Sequence, residues 1–217
     1  MPSNALKTFE NHLVKDVDKL IASHAELNHE GGGRRGLGHI TRSGVVMLCA
    51  AWEVYIEDVL VESVQYMVNN TASAQALPKD VKKSLAGYTK ASKHELRVID
   101  IADLGWKTVL VEIANHAVGR LNTPKSENID PLFKKHLGFR GFSAKWGRPA
   151  TDIDDFVTTR CGIAHRGGGT PYVQIPTLRN YRSLVEQTVV DADNALADHL
   201  RDHTTTGRSP WQRRARP

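Results

Sequence analysis

The stretch GVVMLCAAWEVYIEDVLVESVQYMV, residues 44–68, limits the possible folds more than any other part of the chain. Its apolar residues take up most of the circumference at helical spacing. A helix that is apolar nearly all round must be enclosed by other elements. The spacing predicts one long helix over about Ile40–Asn69, buried at the centre of the fold. Glu53 lies inside the run, between Trp52 and Val54. A carboxylate there needs a partner, a site or solvent, because unpaired burial is costly. It is either a salt-bridged residue at the solvent edge or an acid that faces a functional site.

The flanking sequence supplies the enclosing elements. Leu6, Phe9, Leu13, Val17, Leu20 and Ile21 give a helix over about Asn4–Leu27 one apolar face. Asn28–Gly38, NHEGGGRRGLG, is glycine-rich and reads as a loop. It has neither the Gly-Lys-Ser/Thr ending nor the preceding strand of a phosphate-binding P-loop. Pro78 suits the first turn of a helix continuing through Val81 and Leu85. Ser92–Leu104 reads as a short helix and turn, and helical spacing returns over Gly105–Leu121. Asn128–Leu137 is a short helix closed by Gly138. Thr151–His165 starts with acids that suit the positive end of a helix dipole, and Ile153, Phe156, Val157 and Ile163 can face the core. A short extended piece, YVQI, precedes a last long helix over about Leu178–His203. No run of strands emerges. The expected fold is all-α, a bundle of about five to seven helices over residues 1–203, with residues 204–217 as a disordered basic tail.

Composition narrows the classes further. The net charge of +5 resembles a nucleic-acid signal, but four of those charges are Arg208, Arg213, Arg214 and Arg216 in the acid-free tail, which leaves the body at only +1. Bulk charge therefore does not argue for a polyanionic ligand. Cys49 and Cys161 form neither a disulfide framework nor a zinc spacing, and Cys49 reads as a small buried hydrophobe. No apolar run approaches the roughly 18–20 residues that cross a bilayer. The charged start MPSNALKTFENHLVKDV lacks the apolar stretch of a signal peptide, so the expected location is the cytoplasm.

Chemistry concentrates in Asp152–Gly169, DIDDFVTTRCGIAHRGGG. Arg160 and His165 lie near the end of an apolar-spaced helix that stops in three glycines. Histidine titrates near neutral pH, so it can take the proton of a ribose 2′-hydroxyl or donate one to a leaving oxygen. Arginine stays charged and presents a planar fork to phosphate oxygens, which stabilises a developing phosphorane. Attack by the internal 2′-hydroxyl needs no metal, and no carboxylate cluster of metal-site type is present in the sequence. Five positions apart on a regular helix, however, the two residues sit about 140° and about 7.5 Å apart and do not touch. Either Gly162 and the glycine run loosen the last turn, or a two-fold dimer brings two copies of the motif together. The spacing alone is weakly specific, since Arg34 and His39 repeat it in the glycine-rich loop.

A second basic stretch, FRGFSAKWGRP at Phe139–Pro149, interleaves Phe139, Phe142 and Trp146 with Arg140, Lys145 and Arg148. Such a pattern either stacks bases and contacts phosphates, or plugs the core beneath a loop.

RCGIAH followed by a basic, glycine-rich turn resembles the Arg-x4–6-His motif of HEPN domains. LCAAWEVYIEDVL and NIDPLFKKHLG resemble segments of the RiboL-PSP-HEPN subfamily, in the same order. The likeness runs from about Phe9 to His203. It implies an α-helical, dimeric, metal-independent endoribonuclease that leaves a 2′,3′-cyclic phosphate and a 5′-hydroxyl, without cofactor. Arg160 and His165 carry over as the catalytic pair, and Glu53 as the acid of the AWE-type helix. Arg166, Arg140, Lys145 and Arg148 are the candidate RNA-contacting cations. Implied partners are RNA, a second copy of the chain, and an antitoxin or other anti-phage defence protein. One residue departs from the pattern: Cys161 stands where HEPN motifs often have Asn, Asp or His. The alternative is therefore a catalytically silent HEPN-like module that binds RNA, a nucleotide or a protein.

Overall fold

The computed structural model describes residues 1–28, 36–91, 95–166 and 172–216. Most of the glycine-rich loop, including Arg34, and the three glycines after Arg166 lie outside these residues. Among these residues eight α-helices run in chain order: α1 (Asn4–Thr8), α2 (Lys15–Leu27), α3 (Gly38–Asn69), α4 (Lys79–Lys90), α5 (Gly105–Val118), α6 (Ser126–Leu137), α7 (Ala150–Arg166) and α8 (Ile175–His203). No strand occurs among the described residues, so the class is all-α as the periodicity predicts. No described helix is long and apolar enough to cross a membrane.

The long apolar helix is α3, and it packs against α1, α2, α5, α6, α7 and α8. Seventeen of its residues are buried, among them Leu48, Trp52, Tyr55, Ile56, Val59 and Leu60. Two of its buried rings find polar partners: Trp52 Nε1 donates to the Pro124 carbonyl at 2.9 Å and Tyr55 Oη donates to the Val189 carbonyl at 3.1 Å. Gly44 lets α8 approach closely, because a Cβ there would fall 2.5 Å from Leu178.

The first helix is not the uninterrupted one that the spacing predicts. A π-helical turn over Phe9–Leu13 separates α1 from α2, with the Val14 amide bonded to the Phe9 carbonyl at 3.1 Å. The physical reason lies in the burial pattern. Leu6, Phe9, Val14 and Val17 are fully buried, and the five-residue step from Phe9 to Val14 matches one i→i+5 turn. Leu13, which regular spacing would bury, stays half-exposed.

Phe139, Phe142 and Trp146 are all buried, which removes them as a base-stacking surface. Phe142 stacks on Phe133 at 4.1 Å between centroids, and Trp146 meets Trp52 edge-on at 5.4 Å. The loop is pinned where α6 ends: Gly138 takes φ 71°, and the Phe139 amide bonds back to the Phe133 carbonyl at 3.3 Å.

The basic tail is a correction to the expectation of disorder. Residues 204–216 lie along the body. Trp211 is buried and its indole N–H donates to the Asp193 carbonyl at 3.0 Å. Asn194 exchanges two 2.8 Å hydrogen bonds with the Arg214 backbone. Arg213, Arg214 and Arg216 pair with Asp198, Glu10 and Asp191 at 2.6, 2.6 and 2.7 Å. A buried indole supplies the apolar area that arginine-rich composition hides.

Candidate functional site

The site helix α7 is fixed at both faces. Ile153, Phe156, Val157 and Ile163 are buried against the core, as the spacing predicts. Asp154 turns toward the start of α6, accepting from the Ser126 amide at 2.8 Å and the Ser126 hydroxyl at 2.6 Å. That carboxylate satisfies an N-terminal amide of α6 and ties the two helices together. On the α8 side, Phe156 packs on Tyr181 with centroids 5.1 Å apart, and the Thr159 and Tyr181 hydroxyls lie 3.1 Å apart.

Helical hydrogen bonding continues through Arg166, so Gly162 does not loosen the last turn. Arg160 and His165 keep the regular five-residue offset and point about 140° apart. Arg160 is half-buried, whereas His165 and Arg166 are exposed. One chain alone therefore does not join the two side chains on a common face.

What α3 contributes is a pair of ionisable groups within the electrostatic reach of Arg160. Cys49 and Glu53 stand one helical turn apart on α3, and both feel the Arg160 charge. Burial raises the Glu53 carboxyl above its ordinary range, and Arg160 pulls it back down. Glu57, one turn further on, is raised by burial and by its neighbour Glu53. Burial pushes the Cys49 thiol up to about 12 against the opposing pull of Arg160, so it stays protonated and unreactive near neutral pH. Arg160 Nε is a buried donor with no hydrogen-bond partner, although Glu53 is the neighbouring carboxylate. Orphaned buried donors are rare, and this one belongs to the group best suited to hold a phosphate. Cys49 was legible only as a core residue. Its i,i+4 spacing to Glu53 is the signal that puts it on the same side of α3.

The other candidate cations lie on a different part of the surface. Arg140 gives two hydrogen bonds to Asp80 Oδ2, at 3.1 Å from Nε and 2.8 Å from Nη2. Arg148 Nε donates to Gln187 Oε1 at 3.1 Å. Lys145 is exposed beside a cavity of about 460 Å³ that Asp191, Asp198 and Arg213 also line. These three residues follow α6 or precede α7, and do not gather around the end of α7. Among the described residues, no group of three His, Cys, Asp or Glu side chains is placed to hold a metal ion.

Comparison with curated proteins and with solved structures returns no match. The RiboL-PSP-HEPN family model matches residues 11–198, which takes in α3, α6, the whole of α7 and most of α8. The helical class, the order of the three sequence segments and the extent of that match agree, and the chain belongs to the RiboL-PSP-HEPN family.

Proposed function

We propose that the protein is a metal-independent endoribonuclease of the HEPN type, with Arg160 and His165 as its catalytic pair and a second copy of the chain completing the site. The observation that carries the reading is the Arg160 guanidinium, whose charge acts on Glu53 and whose Nε is buried without a partner, on the helix that also ends in an exposed histidine. Two such helix ends facing each other across a two-fold axis offer two arginines and two histidines to one phosphodiester. One histidine takes the 2′-hydroxyl proton as the 2′-oxygen attacks phosphorus. The bond to the 5′-oxygen breaks, and a histidine gives that oxygen its proton. Arginine holds the non-bridging oxygens while negative charge builds on them. The products are a 2′,3′-cyclic phosphate and a 5′-hydroxyl. Glu53 acts through Arg160, fixing its direction, and Arg166 adds a phosphate contact at the helix end. Arg140, Lys145 and Arg148 serve as outlying contacts for longer RNA. A toxin–antitoxin or anti-phage setting in the cytoplasm, with a protein partner restraining the nuclease, completes the proposal.

Incubating RNA with the purified protein in chelator tests this reading. Wild type cleaves, and His165→Ala loses on the order of 10²–10⁴-fold in rate. Mixing Arg160→Ala with His165→Ala subunits restores part of the activity, because a mixed pair holds one intact arginine and one intact histidine on opposite sides of the axis. RNA left whole by wild type, or cut equally by His165→Ala, refutes the proposal. One observation favours a second reading, the silent binding module: Cys161, half-buried and free, sits beside Arg160 where a hydrogen-bonding side chain would be expected. Equal RNA binding by wild type and His165→Ala, with no cleavage by either, supports that module.

A further inference from the structure

Packing encloses most of α3, but one stripe of it stays open. Met47, Ala50, Val54, Asp58, Val61 and Gln65 recur at steps of three and four, and none of them is buried. Met47 is 39% exposed, and Ala50 is exposed near the middle of the helix. Glu53 lies about a quarter-turn round, on the flank where α7 packs and the Arg160 charge is felt. Glu62 marks the other flank, where it accepts from the Asn4 and Ala5 amides at 3.0 Å each. Charge is divided along the helix. Arg42 is the one lysine or arginine of α3, and the acids Glu53, Glu57, Asp58 and Glu62 all follow Ala50. Burial and then neighbouring carboxylates raise Glu57 and Asp58, and no cation opposes either shift. Half-buried Glu57 thus has no counter-charge among the described residues. Arg42 and Glu57 both lie on the α7 side of the stripe, about 12 and 11 Å to either side of Ala50 along the helix.

We propose that two copies of the chain meet through this stripe, with the α3 helices crossing antiparallel at Ala50 and Glu57 of each copy paired with Arg42 of the other. The contact rests on the ribonuclease reading for the need of a second copy; the face, the direction and the pairs come from α3. A two-fold contact between two copies of one helix is isologous, so the helices run either parallel or antiparallel. Parallel helices would gather Glu57 and Asp58 of both copies at one level, four carboxylates together. Antiparallel helices set each Glu57 against an arginine instead. Direction also decides where the site goes. A dyad perpendicular to antiparallel helices keeps the α7 flank of both copies on one side, whereas a dyad along parallel helices sends the two flanks to opposite sides. Cys49 and Glu53, which feel the Arg160 charge, straddle Ala50. In the antiparallel pair both Arg160 guanidiniums therefore lie beside the dyad and open on one groove. Ala50 is small enough for the two helix axes to approach to about 8–10 Å.

Sedimentation of the full chain, with RNA cleavage in chelator alongside, tests the contact. Wild type is a dimer at about 10 μM. Ala50→Arg sets two arginines against each other on the dyad, and the exposed position lets the fold accept the change. This variant keeps its unfolding temperature, sediments as a monomer and cleaves at least about tenfold more slowly. Glu57→Arg and Arg42→Glu each weaken the dimer by about tenfold or more, and the two together restore it, which a loss of folding could not imitate. A monomeric wild type, an Ala50→Arg dimer, or no recovery in the double reversal overturns the proposal; the first assigns the stripe to a different protein. The contact and the nuclease fail separately. A dimer that Ala50→Arg dissociates but that leaves RNA whole refutes the nuclease and upholds the contact. Cleavage by a dimer that survives Ala50→Arg refutes the contact alone.

Discussion

In the C-terminal segment, Arg213, Arg214 and Arg216 each reach a carboxylate of the body, while at the end of α7 neither Arg160 nor Arg166 forms an ion pair with a described carboxylate. The same residue type thus serves two purposes. Tail charge is paired with acids on the surface of the body, and its potential for attracting a polyanion falls accordingly. The α7 cations keep their charge available. Their neighbour Glu53 is held half-buried, with burial and the Arg160 charge acting on it in opposite directions. Local density of basic residues is therefore a poor guide to where phosphate would bind, and the supply of nearby acids decides it.

The sharpest way to break this contrast is to remove the α7 groups. Arg160→Ala and His165→Ala each lower the cleavage rate by about 10³-fold, roughly 4 kcal/mol of transition-state stabilisation. His165→Ala leaves the urea midpoint within about 0.5 kcal/mol of wild type, because the ring is exposed. If His165→Ala unfolds the protein, the end of α7 is structural like the tail, and the contrast disappears.

Trp211→Ala comes next. It empties a buried site and removes the bond to the Asp193 carbonyl, and lowers unfolding free energy by about 3 kcal/mol in a urea titration. Deleting residues 204–217 has an effect at least as large, where a disordered tail would have none. Cleavage per folded molecule stays unchanged in both variants.

Acidification separates buried from exposed histidines. His199, beneath the tail, and His136 are both held down to about 4, chiefly by burial. Their ordinary value is 6.5, so the unfolded chain takes up these protons first. Stability is complete above that value and is lost as pH falls from it toward about 4. Asp193 works the other way: burial raises it to about 6, so its protonation below that pH stabilises the fold. The two histidine shifts outweigh that of Asp193 and the smaller upward shifts of Glu53, Glu57 and Asp58, so the urea midpoint falls between pH 7 and pH 5. His136→Leu removes roughly 2 kcal/mol of that fall. An unchanged pH slope in this variant would separate His136 from the acid response.

The smallest expected effect is Arg213→Ala. Its pair with Asp198 is largely exposed, so the loss is about 0.5 kcal/mol and vanishes in high salt. A loss several times larger would mean that the tail's ion pairs, and not Trp211, hold it in place.

Much of the fold was legible because helical burial leaves a periodic record. The bounds of α3, α7 and α8 follow from the apolar spacing to within a few residues, and Gly138 closes α6 where its backbone freedom is needed. The π-helical turn was illegible, because it shows only as the exchange of Leu13 for Val14 at one buried position. The tail escaped for another reason. Its partners Glu10, Asp191 and Asp198 are dispersed in sequence, and composition says nothing about pairing at a distance. At the site, the angular mismatch of Arg160 and His165 was readable from their offset, and the unbroken helix keeps it. That the Arg160 charge acts on both Cys49 and Glu53 follows from the packing of α3 against α7, which no local pattern encodes.

The Met1 ammonium donates to Gln212 Oε1 at 2.7 Å, and the Gln212 amide donates to the Met1 carbonyl at 3.0 Å. Residues 1 and 212 are thus laced side by side. Each segment therefore clamps the other, so a change that frees Trp211 also unfastens the residues leading into α1.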